Sequence, residues 1–200
     1  MPTIKVPPEP PMINYVAYRK FVTLKNGKRV MFRFLNEQDR DTLIQMFQEA
    51  PEEDTRYLKQ DVKNINLVNF WIDHINYRKV LPLVAVDLES NRLVADATLH
   101  RGKHAAKHIG EIRIFVCRAF RNLGLGSAML EELINLAMKE GLQWLKAEII
   151  ADHKKVIKAF REKGFETRAT LEDYFIRKDG MTHDVVLMMR PVVKREEAEF

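Results

Sequence analysis

The chain has one cysteine, Cys117, so no internal disulfide can form, which fits a reducing compartment. No run of eighteen apolar residues occurs, and the opening segment MPTIKVPPEPPMINY has no apolar stretch of the signal-peptide kind. Membrane spanning and export are both disfavoured, and the expected location is the cytoplasm. Glycine is scarce, at 8 residues in 200, and neither an internal repeat nor a low-complexity linker divides the chain. That length suits one medium domain with a real core. The net charge of +5 is not concentrated: acids and bases alternate, as in FREKGFETRATLED. A positive field favours anionic partners without choosing among them, and the basic face with interleaved aromatics that binds nucleic acid is missing. We expect neither nucleic acid nor membrane as a partner.

Prolines 2, 7, 8, 10 and 11 bar helix from the first dozen residues, so residues 1–14 are read as an extended arm. The single domain then covers residues 15–192, and a charged tail 193–200. In YRKFVTLKNGKRVMFRFL, Asn26-Gly27 separates two β-prone runs and suits a type I′ hairpin. Asn36 is a candidate N-cap for a first helix carrying Leu43, Met46 and Phe47 and ending before Pro51. A second helical region is expected over about residues 56–77, with Leu67, Phe70, Trp71 and Ile75 at helical spacing and Trp71 in the core. From residue 81 strand patterns take over. LPLVAVDL and RLVADATLH flank a turn at Glu89-Ser90-Asn91, and GEIRIFV follows. The order continues as a helix from about Gly124 to Lys139, the strand WLKAEII, a helix in DHKKVIKAFREK closed by Gly164, and a hairpin at Asp179-Gly180.

Between the strand GEIRIFV and the helix at Gly124 lies R-x-x-G-x-G, formed by Arg121, Gly124 and Gly126. Main-chain N–H groups and the helix dipole can converge there on an anion, glycine allows close approach, and Arg121 can add a charge-assisted contact. A phosphate or pyrophosphate fits; a tight strand-to-helix turn is the simpler alternative. The P-loop pattern is absent, and Leu130 stands where a dinucleotide fold needs its third glycine. Nucleotide hydrolysis and hydride transfer lose support.

The stretch GEIRIFVCRAFRNLGLGSAMLEELINLAMKEGLQWLKAEIIADHKKVIKAFREKGF resembles the core of the GCN5-related N-acetyltransferase (GNAT) family in order and spacing. LKNGKRVMFRFLNEQDRDTLIQMF resembles the start of the acetyltransferase domain in bacterial protein-lysine acetyltransferases. The resemblance implies an α/β fold whose mixed, mainly antiparallel sheet is flanked by helices and contains two splayed parallel central strands. It implies a coenzyme A thioester, acetyl-CoA or another acyl-CoA, lying between EIRIFV and WLKAEII. Val116 and Arg118 would bond the pantetheine arm through their main chain. Arg121, Asn122, Leu123, Gly124, Leu125, Gly126 and Ser127 would cradle the pyrophosphate.

Acylation needs a neutral amine, and a lysine near pKa 10.4 must lose a proton first. Glu111 is the candidate base: related acetyltransferases often carry a glutamate there, and strand geometry puts it on one face with Arg113 and Phe115. An Arg-paired strand glutamate is the structural alternative. Where relatives often have a tyrosine that protonates the leaving thiolate, this chain has Phe160, and where they often have an asparagine on the pantetheine arm it has His153. Solvent, Tyr174 or His153 is left to supply the proton, or catalysis has been lost. Cys117 lacks a histidine–acid pair and is not expected to be a nucleophile. His100, His104 and His108 sit among Arg101, Lys103 and Lys107 without an acid ligand, so no metal is expected.

The function expected is acyl transfer from acyl-CoA to an amine, foremost a protein lysine, by direct attack. A small-molecule amine acceptor is the alternative within catalysis, and an acyl-CoA-binding sensor the alternative outside it. Oligomeric state is not legible.

Overall fold

The computed structural model describes residues 13–192, so most of the expected arm and all of the expected tail lie outside the described residues. Eight strands form one sheet in the order β1-β2-β3-β4-β5-β6-β8-β7. They are β1 Lys20–Thr23, β2 Arg29–Phe34, β3 Val80–Asp87, β4 Leu93–Arg101, β5 Ile109–Val116, β6 Trp144–Ile150, β7 Glu166–Ile176 and β8 Thr182–Pro191. All neighbours are antiparallel except β5 and β6. The α/β fold class expected from the sequence is the one observed.

Helices cover both faces. α1 (Arg40–Glu49), α2 (Glu52–Thr55) and α3 (Ile65–Asp73) precede β3, α4 (Leu125–Lys139) joins β5 to β6, and α5 (Lys154–Glu162) follows β6. The larger core joins the sheet to α4 and α5 through residues such as Phe32, Leu83, Leu99, Leu133 and Phe165. A smaller one joins it to α1 and α3 through Leu43, Phe47, Ile72, Val84 and Phe115. β3 is buried over Leu81–Asp87 because both layers press on it, which is why its sequence is a nearly continuous apolar run. No helix of the described residues is long and apolar enough to cross a membrane.

Asn36 caps as expected, though it caps a 3-10 turn, Glu37–Asp39, that leads into α1. Its side chain accepts from the Gln38 N–H while Asp39 accepts from the Asn36 N–H, each at 2.9 Å, a reciprocal capping box. Ala50 before Pro51 is extended and ends α1.

Two expectations are corrected. The hairpin at Asn26-Gly27 is not type I′: only Gly27 has positive φ, +84°, and the Gly27 N–H bonds Leu24. A type I turn closed by a left-handed glycine accounts for this, and Gly180 (φ +82°), bonded back to Arg177, repeats it. The helical region expected over about 56–77 is helical only at α3, and residues 56–64 between α2 and α3 are irregular. Asn64 breaks the region by capping α3, accepting from the N–H groups of Asn66 and Leu67. Within α3 the buried residues are Val68 and Ile72, while Phe70 is 57% exposed. The helix after β6 starts from His153, which holds the N-cap position without a side-chain cap bond.

Candidate active site

β5 and β6 pair at only three positions, Ile109 with Trp144, Gly110 with Leu145 and Glu111 with Lys146. Gly110 makes the closed end tight: a Cβ there would lie 2.7 Å from Leu99 and 2.8 Å from Leu142. Beyond Glu111, β5 continues to pair with β4 and β6 with β8, but no strand-to-strand bonds join β5 to β6. Main-chain donors and acceptors therefore line a V-shaped opening. Such edges must find partners, and an extended ligand carrying amides would satisfy them.

The open end of the V meets the turn into α4. Asn122 (φ 61°) and Gly124 (φ 89°) are both left-handed, and the chain enters α4 with no side-chain cap. The first N–H groups of a helix lack intrahelical partners, so the cradle presents donors and the positive end of the dipole. Gly126 is informative because the protein does not require it: a Cβ there would meet only Val116, at an ordinary 3.7 Å, and its φ is not positive. A phosphate seated on the main chain does require it. Arg121 donates from Nε to the Val116 carbonyl at 2.9 Å and from Nη1 to Asp54 at 2.7 Å. Arg118 also reaches Asp54, and Glu53 at 2.7 Å. Burial opposes charge on Asp54, but the two arginines outweigh it and hold its pKa low. The acidic end of α2 thus covers the cationic side of the cradle.

At the closed end, Glu111 accepts from Lys59 at 2.7 Å and Arg113 at 2.9 Å, and pairs with Lys146 at 3.0 Å. Lys59 also lies 2.7 Å from Glu148. Burial would raise the Glu111 pKa, but its hydrogen bonds to Lys59 and Lys146 and the Arg113 charge bring it down to about 2. Glu148 is lowered against its own burial by the same lysines. The irregular segment 56–64 therefore reaches both arms of the V. Lys59 touches β5 and β6, and the Tyr57 ring meets His153 and His183 edge-on, each at 5.1 Å.

The other expected residues separate by environment. His153 opens α5 beside the V, and burial lowers its pKa. Phe160 is buried with its ring 5.0 Å from Phe165, so it presents only carbon. Tyr174 is exposed on β7. Cys117 has its thiol pushed by burial to about 11, which leaves negligible thiolate. The three histidines are not one loop cluster: His100 lies on β4, His104 in a 3-10 turn and His108 before β5. Among the described residues no group of three or more His, Cys, Asp or Glu could hold a metal.

Residues 40–165 match the model of the Acetyltransferase (GNAT) family. The chain belongs to that family. A Bacillus subtilis (strain 168) protein named "Putative phosphinothricin acetyltransferase YwnH" is 26% identical over 111 residues, which is 54% of this chain and 68% of that protein. Among solved structures, the GNAT domain of S. lividans PAT aligns with a TM-score of 0.71 at 20% identity, covering 86% of this chain and 96% of that one. The yncA structure from Salmonella typhimurium, which contains acetyl-CoA, gives 0.71 at 17%, covering 85% and 98%. The GNAT fold and an N-acetyltransferase activity using acetyl-CoA follow from family membership. The cradle and the unpaired strand edges fit that cofactor: the turn would hold its pyrophosphate and the V its pantetheine, delivering an activated acyl group between β5 and β6.

Sequence reading missed Asp54, Lys59, Lys146 and Glu148, which gather from distant segments. The lone acid in the apolar strand RLVADATLH, Asp96, was a visible signal.

Proposed function

We propose that this GNAT protein transfers an acetyl or other short acyl group from acyl-CoA to a small primary amine, by direct attack of the amine nitrogen on the thioester. A cavity of about 260 Å³ beside β5 supports this acceptor class. It lies between the sheet and α1 and α3, and apolar residues such as Leu43, Phe47, Val62 and Phe115 line much of it. It suits an acceptor with an apolar body. Protein lysine, the acceptor foremost in the sequence, is the second reading. The exposed Phe70 at the rim of the same cavity favours it, as a surface on which a peptide could rest.

In this reading Val116, Arg118 and the segment Arg121 to Ser127 bind the coenzyme, with His153 beside the pantetheine. Phe160 backs the site without supplying a proton. Glu111 receives the ammonium, and the Lys59 ammonium, held between Glu111 and Glu148, marks where that cation would sit. A carboxylate near pKa 2 anchors a cation strongly and accepts a proton weakly. The base role expected for Glu111 therefore requires Lys59 and Lys146 to withdraw first. The test is free-thiol release from acetyl-CoA and longer acyl-CoAs against panels of small amines and lysine peptides. Glu111→Gln should raise the amine KM about tenfold or more, with acetyl-CoA binding retained. Turnover of peptides alone would shift the acceptor to protein lysine, and binding without turnover on any amine would make the protein a sensor.

A further inference from the structure

The cavity beside β5 contains a carboxyl group that coenzyme binding does not use. Asp96, Thr98 and His100 alternate along β4 and so share one face, about 7 Å apart. They stand opposite Phe115, Arg113 and Glu111 of β5 in that order. All three line the cavity, and Thr98 Oγ1 lies 2.9 Å from His100 Nε2. Asp96 makes no hydrogen bond or ion pair among the described residues, and burial alone pushes its pKa up to about 7. Asp96 is partly buried and lines the cavity, so its carboxylate faces that space rather than a protein partner. The space around it is ample for ordered water.

We propose that Asp96 is the proton acceptor of the acyl transfer, reached from the amine through water in this cavity and the Thr98 hydroxyl. The assignment rests on the N-acyltransferase reading above and divides the work of two carboxylates, with Glu111 holding the ammonium and Asp96 taking its proton. The acceptor ammonium gives one proton to the Asp96 carboxylate. The neutral nitrogen then attacks the thioester carbonyl carbon. As the C–N bond forms, the C–S bond breaks and the thiolate leaves with the electron pair. The second nitrogen proton passes through solvent to the thiolate, and Asp96 later releases its own proton to water.

A base titrating near neutrality is suited to this task, whereas one near 2 is not. The charged and titratable groups facing the cavity besides Asp96 are His100 on its own strand, Arg113 on β5, Lys59 from segment 56–64, and His74 and Lys79 from the α3–β3 connection. α1 and β3 face it with apolar side chains only. Burial, followed by the Arg113 charge, lowers His100 to about 4, so it stays neutral where Asp96 titrates.

The test is the pH profile of kcat/KM for the full chain with acetyl-CoA and whichever amine turns over. Wild type should lose activity below about pH 7 with unit slope. Asp96→Asn should lower kcat about 100-fold or more and abolish that limb, while acetyl-CoA affinity by calorimetry stays within about twofold. Thr98→Val should lower kcat about tenfold or more with the fold intact, and His74→Gln should leave the limb in place. An Asp96→Asn enzyme with wild-type kcat and an unchanged limb overturns the proposal. If that variant fails to fold, wild-type kcat in Thr98→Val overturns it instead. A wild type that turns over no amine would defeat the N-acyltransferase reading itself, a result distinct from either.

Discussion

Glu111 and Asp96 are both partly buried carboxylates on neighbouring strands, and their surroundings drive them in opposite directions. Glu111 has Lys59, Arg113 and Lys146 against it and falls to about 2, while Asp96 has none and rises to about 7. The consequences for stability have opposite signs. Glu111 stabilises the fold above its unfolded value of 4.5, and that contribution disappears as pH falls toward about 2. Asp96 ionises at 3.8 when unfolded but only near 7 when folded, so it adds nothing below 3.8 and a penalty that grows until about 7. Asp96→Asn should therefore raise unfolding stability at about pH 8 by roughly 2–4 kcal/mol, less the cost of burying the amide, and gain little at about pH 4. Urea melts at both values measure this. An equal effect at both would mean that Asp96 is already ionised at low pH in the fold. Glu111 was legible in the sequence through the family resemblance, which places a glutamate on the strand leading into the glycine turn. Arg113, two residues on, was legible with it, whereas Lys59 and Lys146 were not: Lys59 lies 52 residues away and reaches Glu111 only through the fold.

Among the elements, the two glycines of the turn into α4 have different duties. Gly124 is left-handed, at φ 89°, so a side chain is strained there whatever the space. Gly126 lies in the first turn of α4 with room for a methyl group. Gly124→Ala should cost about 1–2 kcal/mol in thermal or denaturant unfolding. Gly126→Ala should leave stability unchanged or raise it by about 0.4–1 kcal/mol and weaken acetyl-CoA binding about tenfold or more, as measured by calorimetry. Unimpaired binding in Gly126→Ala would place the phosphate elsewhere. Turn and helix were both readable, because the spacing of Arg121, Gly124 and Gly126 and the apolar stripe of α4 are local patterns. Segment 56–64 was not. Its order comes from contacts with β5, β6 and β8 through Lys59, Tyr57 and their partners, and nothing in its own periodicity records them.

On the scale of the whole molecule, one sheet is held together by antiparallel pairing on either side of a junction that closes for only three residue pairs. The halves meet at the V, and Lys59 crosses it with ion pairs to Glu111 on β5 and Glu148 on β6. Arg121 and Arg118 are similarly occupied by Asp54 and Glu53. In the proposed reading the coenzyme phosphates compete with Asp54 and Glu53 for these arginines and its pantetheine pairs with the open strand edges, so binding should tighten the junction rather than rebuild the sheet. A ligand that binds only the folded chain stabilises it by about 2.7 kcal/mol at a hundred times its Kd. For a domain of this size that is a rise of about 5–11 °C in melting temperature. Acetyl-CoA should produce such a shift, and hydrogen exchange should slow most at residues 112–116, 121–127 and 147–150. Because the chain carries a net +5 and the coenzyme is anionic, added salt should weaken the shift. Asp54→Asn, which removes the internal competitor for Arg121, should enlarge it at a given coenzyme concentration. A smaller shift in Asp54→Asn would mean that Asp54 orients the arginine for the phosphate instead of competing with it.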